Sequence, residues 1–154
     1  MIRHTSAPDT GQEFTNVRLD DCSTQRLLSE KGRREAEQLG REYRRARVNV
    51  ARVLSSQWCR CLDTARLAFG EMTEPWRPLN TFHNVPSREP GQSSEVRGII
   101  RGQAGRDDVV VMVTHWQNIE AIVGFKAREG ETVVVRANDQ GAIEVLGRVR
   151  PPRA

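Results

Sequence analysis

Residues 108–114 constrain the fold of this chain more than any other part of the sequence. They contain an uninterrupted run of valine and methionine from Val109 to Val113, which would be apolar on both faces of a strand. Strands of that kind occur in parallel sheets that helices cover on both sides. The run is much shorter than the ~20 residues of a membrane-spanning helix, so we expect a buried central strand and no membrane span.

The rest of the chain supplies elements that alternate with this strand. Apolar periodicity and capping signals predict four helices and five further strands. The helices are expected at 29–47, 56–69, 93–101 and 117–125, and the strands at 1–4, 52–55, 76–79, 133–135 and 143–146. This order favours a three-layer α/β/α sandwich with a mostly parallel central sheet. The length of 154 residues suits a single domain over residues 1–154.

The chain is basic, with a formal net charge of +4. Such a balance can indicate nucleic-acid binding. Here the lysines are only Lys31 and Lys126, and the arginines are interleaved with Glu and Asp, as in residues 30–47. Aromatic residues do not alternate with a basic stripe. We therefore expect no nucleic-acid partner, and a small anionic substrate fits the same charge.

The three cysteines, Cys22, Cys59 and Cys61, do not form a metal-binding pattern. The spacing of Cys59 and Cys61 is one residue short of the common zinc pair, and no second pair or nearby histidine completes a ligand set. We therefore expect no bound metal.

Reactive side chains follow three of the predicted strands. Arg3 and His4 come after the first strand, Arg60 lies in the segment after the second, and His115 ends the strand at 108–114. Open α/β sheets place their sites at the carboxyl ends of strands. We therefore expect Arg3, His4, Arg60 and His115 to converge at one edge of the sheet. Two of the three histidines of the chain are among these residues.

Four motifs follow one another along the chain: Arg3-His4, the pattern Leu-x-x-x-Gly-x-x-x-Ala at 28–36, the segment 55–65 with Ser55, Ser56, Arg60, Thr64 and Ala65, and His115. In this order they resemble the motifs of the histidine phosphatase superfamily, which has the phosphoglycerate-mutase-like fold. A narrower similarity, to a small bacterial branch of the superfamily, rests on residues 19–26, 55–61 and 113–119.

The resemblance implies a phosphatase that hydrolyses a phosphate monoester through a phosphohistidine on His4, without a metal or other cofactor. A neutral imidazole is a good nucleophile near neutral pH. Arg3 and Arg60 would bind the phosphoryl oxygens, and His115 would add a donor. Arg26 and Asn118 match only the narrower branch. A role in substrate binding and a role in local hydrogen bonding are equally consistent with their positions.

The chain departs from the family pattern in three places. Thr5 and Trp116 stand where glycine is usual, and Thr5 could either fit or crowd the pocket. The glutamate that often acts as proton donor is replaced by Asn80 and Thr81. Glu89, Asp21 or no dedicated acid remain as alternatives.

These departures keep other functions open. A non-catalytic phosphate-binding module of the same fold and a protein phosphohistidine phosphatase are the alternatives to a small-molecule phosphatase. A mutase fits the sequence less well, because mutases of the family usually keep the glutamate that is missing here. His83 is expected at the surface and Trp58 in the core. The oligomeric state is left open.

The resemblance also bears on the cysteines and the compartment. If Arg3 and Arg60 share a phosphate, Cys22 comes near Cys59 and Cys61, and a disulfide from Cys22 to one of them is expected. The alternative is three reduced cysteines in a cytoplasmic protein. The chain as written suggests the cytoplasm. A periplasmic or exported location applies if an N-terminal signal and part of the first strand are missing, and the similar branch often carries such a signal.

Overall fold

A computed structural model describes residues 1–9, 16–151 and 153. Within these residues the centre of the fold is a six-stranded sheet in the order β3-β2-β4-β1-β5-β6. The strands from β3 to β1 are parallel to one another, whereas β5 is antiparallel to both β1 and β6. The strands are β1 (Ile2–Arg3), β2 (Val50–Ser55), β3 (Thr73–Pro75), β4 (Val109–Thr114), β5 (Thr132–Ala137) and β6 (Ile143–Val149).

Helices cover both faces of this sheet. On one face Leu39 and Ala65 pack into a core with the inward side chains of β2 and β4. On the other face Val96 and Ile119 pack into a second core. The three-layer α/β/α sandwich with a mostly parallel sheet is therefore confirmed. The helices are α1 (Glu30–Arg45), α2 (Cys59–Phe69), α3 (Glu89–Gly102) and α4 (Trp116–Val123).

Strand β4 has the central place that its sequence predicts. Val111 and Val113 belong to the core under α1 and α2, and Met112 between them belongs to the core under α3 and α4. All three side chains are buried, because a strand covered on both faces has no solvent side. None of the helices in the described part of the chain combines the length and apolarity needed to cross a bilayer.

Several helix and strand boundaries in the structure differ from those predicted from the sequence. The strand expected at 76–79 is wrong, because β3 ends at Pro75 and Arg77–Leu79 forms a 3₁₀ turn that contains Pro78, a residue that cannot donate to a strand ladder. Helix α2 begins at Cys59 instead of residue 56. Helix α3 begins at Glu89, earlier than expected, and carries Pro90 in its first turn, where proline is tolerated.

Two glycines of α1 allow close backbone contacts. A Cβ on Gly32 would overlap the carbonyl group of Ser6, and a Cβ on Gly40 would overlap the backbone of Ala68 in α2. The first contact brings α1 against the loop that follows His4. This contact explains Gly32, the glycine of the motif at 28–36, by packing. The second contact sets the distance between α1 and α2.

We expect Gly40→Ala to lower the free energy of unfolding by about 1–3 kcal/mol, as overpacking in a core does. Gly98→Ala is the matched control, because it is also a helical glycine but has no atom within 4 Å of the added Cβ. Alanine there should raise the stability by up to about 1 kcal/mol. Urea unfolding of both variants measures the difference, and equal stability of the two would contradict the packing account.

Candidate active site

The structure brings His4, Arg60 and His115 together at the carboxyl edge of the sheet. His4 follows β1 and His115 follows β4, and these strands are parallel neighbours. The backbone N–H of His4 donates to Thr114 O at 3.0 Å, and the two imidazole centroids are 5.7 Å apart. Arg60 lies in the first turn of α2, so three separate elements supply the three side chains.

The ring of His4 is held in one tautomer. Its Nδ1 lies 2.9 Å from Thr5 O, and a carbonyl oxygen only accepts, so Nδ1 carries the proton. The lone pair on Nε2 then accepts from Arg60 Nε at 3.2 Å. Burial, and next the charge of Arg60, hold the pKa of His4 well below its ordinary value. His4 is therefore neutral near pH 7 with Nε2 facing the arginine.

His115 adopts the opposite tautomer. Arg60 Nη2 donates to its Nδ1 at 3.1 Å, so the proton is on Nε2 and is donated to Ser56 Oγ at 2.9 Å. Ser56 Oγ in turn donates to Asn80 Oδ1 at 3.1 Å. Burial and the charge of Arg60 also lower the pKa of His115. Asn80, at the place of the missing family glutamate, thus orients His115 through Ser56.

Trp58 lies beside Arg60 and His115. Its ring lies 5.1 Å from Arg60 Cζ and 5.9 Å from the centroid of His115, and it is half-buried. The prediction that Trp58 belongs to the core is therefore wrong. Its place just before α2 could have indicated the site, because Arg60 is two residues further along the same turn.

Arg3 and Arg26 add two more positive charges, and both act on the pKa values of His4 and His115. Arg3 Nη1 donates to Ala127 O at 3.0 Å. Glu129 Oε1 lies 3.5 Å from Arg3 Nη2 and 4.0 Å from Arg26 Nη2. The pocket is therefore a cluster of three guanidinium groups around two neutral imidazoles, with one carboxylate beside two of the arginines.

The loop at 127–131 holds Arg3 and His4 from the side of β5, and no sequence motif predicts this contact. The N–H of Gly130 lies 3.1 Å from Arg3 O and 3.0 Å from His4 O. Gly130 has a φ of 73°, which favours glycine. No family motif covers this loop, and glycine before a strand was its only signal.

Thr5 fits its position. Its side chain is fully buried, and its Oγ1 and backbone N each lie 3.2 Å from Thr64 Oγ1 in α2. The hydroxyl group is therefore directed at the helix. Trp116 begins α4, and the ammonium group of Lys126 lies 4.0 Å from its ring centroid.

The remaining candidate site residues, Asn118, Glu89 and Asp21, have different hydrogen-bond partners. Asn118 is buried and its Nδ2 donates to Asn80 O at 2.9 Å, whereas its Oδ1 has no hydrogen-bond partner among the described residues. Glu89 accepts a hydrogen bond from Ser93 of its own helix. Asp21 accepts from the N–H and hydroxyl groups of Ser23. These hydrogen bonds of Glu89 and Asp21 thus do not support either carboxylate as a proton donor.

Cys22 and Cys59 form a disulfide with a Cα–Cα distance of 5.8 Å, and Cys61 is free and buried. This confirms the first of the two expected pairings. Next to it, the backbone N–H of Cys59 donates to Gln25 Oε1 at 2.9 Å. The segment that precedes Arg26 is therefore attached to the start of α2. Burial raises the pKa of the Cys61 thiol to about 12, which makes this cysteine a poor nucleophile.

Within the described residues, no three His, Cys, Asp or Glu side chains are grouped so that they could hold a metal ion.

A family model provides the decisive comparison. The model of the histidine phosphatase superfamily (branch 1) matches residues 2–86, which is more than half of the chain. The chain belongs to the histidine phosphatase superfamily. The match includes Arg3, His4 and Arg60, and His115 lies beyond it.

Several solved structures have the same fold. The protein histidine phosphatase SixA in complex with tungstate has 14% identity and a TM-score of 0.66, with 97% of this chain and 94% of that chain covered. YhfR of Bacillus stearothermophilus has 16% identity and a TM-score of 0.66, with 94% and 93% covered. Rv3214 of Mycobacterium tuberculosis has 14% identity and a TM-score of 0.67, with 95% and 93% covered.

At these identities the likeness shows the fold, which is the phosphoglycerate-mutase-like fold expected from the motifs. No curated protein matches the chain in sequence.

We expect Cys22→Ser to lower the free energy of unfolding by about 2–4 kcal/mol, because the disulfide closes a loop across a sequence separation of 37 residues and so restricts the unfolded chain. Urea unfolding with and without a dithiol reductant is the measurement. The reductant should destabilise the wild-type protein to the same extent and leave the variant unchanged. An oxidised wild-type protein no more stable than Cys22→Ser would contradict the pairing.

Proposed function

We propose that this protein is a phosphatase that hydrolyses a phosphate monoester through a phosphohistidine on His4. The observation that carries the proposal is the state of the His4 ring. It is neutral, its Nδ1 is fixed by Thr5 O, and its Nε2 lone pair faces the guanidinium group of Arg60. A nucleophile beside fixed positive charge is what phosphoryl transfer requires.

The first half of the reaction forms the phosphoenzyme. The Nε2 lone pair of His4 attacks phosphorus, and an N–P bond forms as the P–O bond to the leaving group breaks. Arg60, which donates to both imidazoles in this structure, turns its donors to the phosphoryl oxygens. Together with Arg3 it stabilises the charge that the transition state spreads over those oxygens.

The second half returns the free enzyme. Water attacks phosphorus, the N–P bond breaks, and inorganic phosphate leaves neutral His4 behind. The leaving oxygen of the first step takes its proton from water, since Glu89 accepts a hydrogen bond from Ser93 and Asp21 accepts one from Ser23. When Arg60 turns from His115 Nδ1 to the phosphoryl group, that nitrogen takes the proton of a monoanionic phosphate ester, whose second pKa is near 6, and donates it to a phosphoryl oxygen. The proton leaves with inorganic phosphate, so both histidines are neutral again at the end of the cycle.

Positive charge in this mechanism comes from the arginines, so we infer that no metal is required. We also infer that residues 1–154 act as one domain, with Arg26 and Asn118 at the substrate. Asn118 Oδ1, buried without a hydrogen-bond partner among the described residues, is available as an acceptor for a substrate donor.

A protein phosphohistidine is the second candidate substrate. The similarity to the protein histidine phosphatase SixA extends over 97% of this chain and 94% of that one, so both proteins have the same small size. A non-catalytic phosphate-binding module is less consistent with the site, because Thr5 fits beside α2 and both histidines are retained and neutral.

The proposal is tested by trapping the intermediate. A radiolabelled phosphate ester with a good leaving group, quenched during turnover, should give a phosphoprotein that is stable in base and labile in acid. His4→Ala should abolish it, and His83→Ala, which changes an exposed histidine, should leave it unchanged. The yield should be the same in the presence of EDTA. Label on another residue, or full turnover by His4→Ala, would refute the mechanism.

A further inference from the structure

A carboxylate lies among the arginines of the pocket, where it opposes the binding of an anion. The Oε1 atom of Glu129 is 3.5 Å from Arg3 Nη2 and 4.0 Å from Arg26 Nη2. Both of these arginines act electrostatically on His4 and His115. Glu129 therefore lies near two of the guanidinium groups that a phosphoryl group would need as donors.

Arg3 does not depend on Glu129 for its position. Its Nη1 donates to Ala127 O at 3.0 Å, and its backbone N–H donates to Glu131 O at 3.1 Å. The distances from Glu129 to the two arginines exceed the roughly 2.7–2.9 Å of a charge-assisted hydrogen bond. The side chain of Glu129 is also 27% exposed, so this is a loose ion pair at the rim of the pocket.

We propose that Glu129 competes with phosphate for Arg3 and Arg26 and so limits how tightly the site holds inorganic phosphate. This inference rests on the proposed function, because it assigns the arginines to the phosphoryl group. A phosphate dianion that enters the pocket either displaces the carboxylate or lies beside it, and like charges at such distances repel. Glu129 therefore weakens the binding of every phosphate group in the pocket.

The consequence differs between substrate and product. A phosphate ester has a leaving group whose contacts with the pocket offset part of this repulsion, whereas inorganic phosphate has none. Glu129 thus favours release of inorganic phosphate after hydrolysis and limits inhibition by the product.

The alternative role is that Glu129 orients the two arginines. The two roles predict opposite changes in the affinity for phosphate when the charge of Glu129 is removed. If Glu129 competes, Glu129→Gln binds phosphate more tightly than the wild-type protein. If Glu129 orients, the same change loosens Arg3 and Arg26 and phosphate binds more weakly.

The experiment is calorimetric titration of inorganic phosphate into the resting protein, with inhibition of turnover by phosphate as a second readout. Glu129→Gln should bind phosphate roughly tenfold more tightly. Glu129→Asp keeps the charge but withdraws it from the arginines, so its affinity should lie between the two. Glu95→Gln, at an exposed position of α3, makes the same change in net charge and should leave the affinity unchanged.

Unchanged or weaker phosphate binding by Glu129→Gln would overturn the inference, as would equal tightening by Glu95→Gln or no binding by any of the proteins. The titration needs no turnover, so it separates this inference from the proposed function. Tighter binding by Glu129→Gln in a protein that hydrolyses no phosphate ester would support the competition and refute the phosphatase. Turnover of a phosphate ester together with weaker phosphate binding by Glu129→Gln would support the phosphatase and refute the competition.

Discussion

The structure of the site depends on one arrangement, the guanidinium group of Arg60 between two neutral imidazoles. Arg60 donates through Nε to His4 and through Nη2 to His115, and each of these bonds requires a lone pair on the imidazole nitrogen. Positive charge and burial both oppose protonation of the rings. The arginine therefore keeps His4 in the form that can act as a nucleophile and stays beside it as a donor for the charge that a phosphoryl group brings.

Most other features of the fold serve to hold these three side chains. The parallel pairing of β1 and β4 places His4 next to His115, and the opposite nitrogens of the two rings are fixed by Thr5 O and Ser56 Oγ. The disulfide from Cys22 attaches the segment before Arg26 to the start of α2. These supports come from separate elements of the fold.

The fold and the central residues of the site could be predicted because local sequence determines them. An apolar run buried on both faces identifies β4, and residues that directly follow parallel strands must meet at one edge of the sheet. The contributions of Glu129 and Gly130 could not be predicted, because a loop that folds back onto β1 has no periodicity. From the sequence, Asn80 shows only that the usual glutamate is absent. Its effect on His115 depends on the hydrogen bonds through Ser56, which only the tertiary structure reveals.

The direct test of this account is nitrogen NMR of the histidine rings in the resting protein at neutral pH. Long-range couplings between ring carbon protons and nitrogens distinguish the two neutral tautomers from the charged imidazolium. The account predicts that His4 is neutral with the proton on Nδ1 and that His115 is neutral with the proton on Nε2. A charged imidazolium at either position, or both rings in the same tautomer, would contradict the arrangement on which the proposed chemistry depends.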